Sequence, residues 1–150
     1  MNEYPQHLAD AVREVIEPWL IRCVVDTSIR VTGTCAAPLR ANALEMARVC
    51  APTVMAELNA LLDTDVDAQR TNPLSVLRAA VRHPTALLRD AGIAEVRRDD
   101  FAVRSFPADG YNLSPATWAD IDESLVEPGL IWGAWKAKTV LDRRRAEKLR

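Results

Sequence analysis

Eight aromatic side chains occur in this chain, and six of them fall between positions 101 and 135: Phe101, Phe106, Tyr111, Trp118, Trp132 and Trp135. Large rings with a polar edge can anchor a bound partner, and they can equally pin a segment that lacks regular pairing onto a core. The first use makes a partly open groove for a peptide or small ligand. Trp132 and Trp135 stand three apart, so on a helix they share one broad face. An apolar stripe through Leu130, Ala134 and Leu141 takes only part of that face, which places at least one of the two rings near the surface. A basic run follows directly. Residues 136–150 hold seven bases against two acids, whereas residues 99–127 hold seven acids against one base. A basic terminal helix suits an anionic partner, whether RNA, DNA or an acidic protein surface. It also complements its own helix dipole, or can lie along the acidic segment of the same chain. Phe106, Tyr111, Trp132, Trp135, Lys136, Arg143, Arg144 and Arg145 are the partner-binding candidates.

Other chemistry has little to stand on. The two histidines, His7 and His83, are far apart, and neither stands in a metal-binding motif such as HExxH. Cys23 and Cys50 fall on apolar stripes, where a thiol acts as a small hydrophobe, while Cys35 sits in a turn and is expected to be the most accessible. The five glycines are scattered and build no phosphate loop. Asp99-Asp100 and Asp120-Asp122-Glu123 read as caps and solvated faces before they read as catalytic carboxylates. No catalytic residue, metal ligand or cofactor is assigned.

Four helical patterns must position these groups. The first, about 6–32, carries Leu8, Val12, Ile16, Trp19, Leu20, Val24, Thr27 and Val31 at steps of three and four. The second, about 38–62, carries Ala43, Leu44, Ala47, Ala51, Val54, Met55, Leu58 and Leu62. The third spans about 73–91, opened by Asn72-Pro73 and closed by Gly92. The fourth spans about 128–146, through Leu130, Ile131, Ala134, Ala137 and Leu141. Pro18, Pro52 and Pro84 lie inside the first three, yet the stripe keeps phase across each one. That pattern favours kinked helices at Pro18 and Pro52, and leaves one kinked or two separate helices at Pro84. Residues 93–127 form a crossing segment of turn chemistry, with a short helix from Ser114-Pro115 to about Leu125 and a break at Glu127-Pro128-Gly129.

The expected architecture is all-α: a single domain over 1–150, arranged like a four-helix bundle with proline-kinked helices and a long aromatic-rich crossing segment between the third and fourth. Hydrophobic content of 49% and charged content of 27% fit a packed globular chain. No apolar run is long enough for a membrane span, and the first residues lack a signal-peptide pattern. Three cysteines without paired spacing point to a reducing, cytoplasmic setting. The abundance of Arg, Ala and Val suggests a bacterial source. The first functional expectation is a small non-enzymatic helical protein that binds another macromolecule, most readily a protein, through its aromatic-rich segment. A nucleic-acid- or ribosome-associated protein using the basic helix is the alternative. A ligand-binding protein or enzyme with a pocket under residues 99–127 is the second. Oligomeric state is not legible.

Overall fold

The computed structural model describes residues 3–64, 72–93 and 116–149, and these are predominantly helical, with no strand among them. Helix α1 spans Glu3–Thr32 and α2 spans Ala37–Asp63. They pack together, and the four residues between them leave room only for a hairpin. Its turn is closed by polar chemistry. Gly33 takes φ +85° and its N–H donates to the Ile29 carbonyl at 2.8 Å, ending α1 in the left-handed conformation that glycine tolerates best. The buried Ser28 hydroxyl and that of Thr32 both donate to the Thr34 carbonyl, at 2.7 and 2.8 Å.

Both long helices run unbroken through their interior prolines. Pro18 and Pro52 lie on exposed faces, and the residues whose carbonyls lose a partner, Glu14 and Arg48, are exposed as well. Water therefore takes over the orphaned acceptors, and the apolar stripe stays in phase. The α1 stripe is the middle of the core. Leu8, Val12, Ile16, Leu20 and Val24 are essentially inaccessible to solvent. Against it lie α2 and four further elements. The second stripe needs one correction: Leu44 points outward and is half-exposed, while Leu39, Ala43, Ala47, Val54 and Leu58 carry the contact.

The third helical pattern is two helices. α3 covers Leu74–Ala80 and α4 covers Arg82–Asp90, meeting at Val81. The break puts Pro84 in the first turn of α4, where its missing N–H has no intrahelical partner to lose. Asn72 does cap α3, its Oδ1 accepting from the Leu74 N–H at 2.9 Å. α4 ends in a Schellman motif: Ile93 N–H reaches the Leu88 carbonyl at 3.1 Å and Gly92 N–H the Arg89 carbonyl at 2.9 Å, with Gly92 at φ +77°. Buried Ile93 and Leu88 supply the apolar contact that accompanies it.

After residue 115 the chain forms α5, Trp118–Ile121, then a single 3-10 turn, Glu123–Leu125, then α6, Val126–Lys148. Ser114 and Pro115, the expected cap, lie outside the described residues. Thr117 caps α5 through a reciprocal capping box with Asp120, each bond 3.2 Å. The expected break at Glu127-Pro128-Gly129 falls instead at Asp122, whose extended backbone separates α5 from the 3-10 turn. Pro128 sits in the first turn of α6 and helps start it. α6 thus begins two residues before, and ends two residues after, the span expected from sequence.

Gly129 explains how closely α6 meets α5. A methyl group there would stand 2.5 Å from Cδ1 and 2.8 Å from Cγ of Trp118. One turn later, Gly133 has no heavy atom within 4 Å of the same point. Gly129→Ala is therefore expected to destabilise the fold despite alanine's higher helix propensity. Gly133→Ala should stabilise it by up to about 1 kcal/mol. Thermal melting of the two variants beside the parent checks the pair, and equal shifts would show that the Trp118 contact is not tight.

Candidate functional site

α6 has two apolar faces. Its residues step around the axis by about 100° each, so Pro128, Trp132 and Trp135 project on one side while Leu130, Ala134, Ala137 and Leu141 project on the other. The first group faces the core, where α6 rests on α1. Trp132 and Trp135 are 6% and 8% exposed, with ring centroids 5.0 Å apart and planes tilted by 35°. The expectation that one of these rings lies near the surface is thus overturned. Two indoles bury far more apolar area than leucines and alanines do, and that area decides which way the helix turns. Outward go Leu130 at 69% and Leu141 at 52% exposure, with Ala134 and Ala137 exposed between them.

Charge is graded along the same helix. Glu123 stands exposed in the 3-10 turn before it and Glu127 in its first turn, and Arg143, Arg144, Arg145 and Lys148 stand exposed at its end. Both ends complement the helix dipole. Lys136 is half-buried between them. The candidate residues therefore do not form one patch. Phe106 and Tyr111 lie outside the described residues, the two tryptophans belong to the core, and the three consecutive arginines fan around the helix. Leu130 and Leu141, read from sequence as core, are the residues that the structure adds to the candidate surface.

The segment leading into α6 is clipped by two arginines. The Arg22 guanidinium of α1 donates to the Ile121 carbonyl, and Arg78 Nε of α3 donates to the Ala116 carbonyl at 3.1 Å. Asp122 accepts from the Ser124 N–H at 2.9 Å, and this backbone bond chiefly holds its carboxyl below the usual range. Beside the clip an open depression of about 230 Å³ is lined by Arg22, Cys23, Asp26, Arg30 and Asp120, among others. Of the segment 99–127 it touches only Ala116 and Asp120, and the pocket expected there falls mostly on residues outside those described. Its lining mixes both signs of charge. Among the described residues no three histidine, cysteine or acidic side chains cluster as a metal site would require, and no helix is long and apolar enough to cross a membrane.

The three thiols do not sort as expected. Cys23, Cys35 and Cys50 are all half-buried, and burial pushes the Cys50 thiol up against the opposing pull of Arg82. Comparison with protein-family models, with curated proteins and with solved structures finds no match to this chain.

One titration is built into the frame behind this site. His83 opens α4 beside the Arg82–Glu57 ion pair, whose charged atoms are 2.7 Å apart. Its Nε2 is buried without a hydrogen-bond partner among the described residues. Burial first, and then the Arg82 cation, lower its pKa, with Glu57 opposing. The unfolded chain therefore takes up this proton before the folded one. The stability is complete above the unfolded histidine's pKa of about 6.5 and is lost as pH falls below it toward the folded value. The melting temperature should drop between about pH 7 and pH 5, and His83→Gln should flatten that slope. The lowered Asp122 carboxyl responds only at more acidic pH, below its ordinary range. An unchanged slope in the glutamine variant would remove His83 from the account.

Proposed function

We propose that this chain is a small non-enzymatic binding protein whose partner is another protein, seated on the outer face of α6. The supporting observation is the second apolar face of that helix: Leu130 and Leu141 are more than half exposed on the side opposite the core tryptophans. A helix with one neighbour needs one apolar stripe, and a second stripe fits a second neighbour. The proposed frame is the bundle-like set of α1, α2, α4 and α6, with the segment before α6 crossing it. Trp132 and Trp135 act in this reading by holding the docking helix in place, while Phe106 and Tyr111 keep their reading as aromatic contacts of the crossing segment. A cytoplasmic, bacterial setting remains part of the proposal, carried by the cysteine usage and composition of the sequence.

The rival use of α6 is capture of nucleic acid by Arg143, Arg144 and Arg145. The net charge of −2 and the spread of these arginines around the helix favour it less. Purified full-length chain separates the two. Leu130→Asp with Leu141→Asp should abolish retention of the partner protein while leaving the melting temperature close to the parent value. Replacing the three arginines by alanine should weaken retention by about tenfold or less, as expected of rim charges. Trp132→Ala should instead lower stability by roughly 3–5 kcal/mol. Copurifying nucleic acid that disappears with the arginine variant and survives the leucine one would replace the protein reading with the nucleic-acid one.

A further inference from the structure

We infer that the partner seated on α6 is a second copy of this chain, with the two α6 helices packed antiparallel about a two-fold axis; this rests on the reading of α6 as a docking face. The argument is the order of residues along that face. From Glu127 the exposed positions at alternating steps of three and four are Glu127, Leu130, Ala134, Ala137, Leu141 and Arg144. This is the spacing of a coiled-coil seam. Read from the other end, the seam repeats itself in size and reverses itself in charge. In an antiparallel pair Leu130 meets Leu141 of the second copy, Ala134 meets Ala137, and Glu127 meets Arg144. Each contact occurs twice, as a two-fold interface requires. Glu123 and Lys148, both exposed, continue the same order one step further out at each end. A parallel pair would set Glu127 against Glu127 and Arg144 against Arg144, so charge selects the antiparallel arrangement.

Two further features agree. The paired alanines at the centre let two helices approach closely. From Leu141 to Lys148 every residue of α6 is exposed. In the pair, these turns lie along Glu123 and Glu127 of the opposite copy and lose some of that exposure to solvent.

Sedimentation equilibrium of the full chain, from about 1 to 200 µM, tests the inference, with each variant also melted to verify its fold. The parent should show a monomer–dimer equilibrium with Kd in the micromolar range. Leu130→Glu should raise Kd at least a hundredfold. Glu127→Arg alone, and Arg144→Glu alone, should each raise it about tenfold, because both symmetry-related pairs become repulsive. Combining Glu127→Arg with Arg144→Glu restores opposite charges across the seam, and should bring Kd back to within about threefold of the parent. A parent that stays monomeric throughout overturns the inference. So does a dimer that Leu130→Glu leaves intact, or a double reversal no better than the single ones. If the parent is monomeric while Leu130→Asp with Leu141→Asp still costs retention of a different protein, the second-copy inference fails and the docking face stands. If neither self-association nor retention responds to the leucines, both fail.

Discussion

Everything described in this chain leans on one buried stripe. α1 is 30 residues long, and its apolar positions recur without a phase error from Leu8 to Val24. The hairpin sets α2 against it, and α4, α5, the 3-10 turn and α6 all touch it as well. A helix of this length has no intrinsic need to persist in water, since propensity alone supports only marginal helices. Here the packing of other elements along the stripe holds it. Pro18 is tolerated for the same reason. A proline in a helix interior costs about 3 kcal/mol where the lost bond matters, but this one faces water, and nothing in the core depends on the bond it removes.

Proline also shows how far the sequence could be read. The stripes of α1 and α2, the cap at Asn72 and the stop at Gly92 follow from local chemistry, and the structure carries them, with Leu44 of the second stripe turned outward. Pro84 was harder. Its stripe fitted one kinked helix or two separate ones, and it sits in the first turn of a helix, as Pro38 does in α2 and Pro128 in α6. A proline that interrupts and a proline that starts a helix present the same residue to the reader. What distinguishes them is whether the preceding turn can end, and at Val81 that goes with α3 packing against α2 while α4 packs against both α1 and α2. This is tertiary information. The short helix before α6 was legible through Ile121 and Leu125, both fully buried, whereas its break at Asp122 was not.

The rotation of α6 was misread by half a turn. The sequence marked the aromatic run from Phe101 to Trp135 and the basic end of the last helix, but the periodicity of that helix admits two stripes, and the leucine–alanine one was assigned to the core. Periodicity reports which residues share a face and says nothing about which of two apolar faces turns inward. Area decides that. The indoles of Trp132 and Trp135 stack on each other under α6, and the leucines opposite them are left to solvent. The spacing of the two tryptophans was visible from the beginning. What was missing was the comparison of buried area between the two faces.

The rotation of α6 about its own axis is then fixed by a contact as specific as any in the chain. Trp118 lies over Gly129, with no room for a single added carbon. Turning α6 by one residue would bring a side chain under that ring. The ring itself cannot easily retreat, because α5 is held at both ends: Arg78 binds the Ala116 carbonyl before it, and Arg22 binds the Ile121 carbonyl at its close. Each arginine reaches from a helix already packed in the core, so the position of α5 is inherited from α1 and α3. The exposed seam on the far side of α6 is therefore a consequence of packing on the near side. A glycine and two arginine–carbonyl bonds determine which residues the helix leaves exposed.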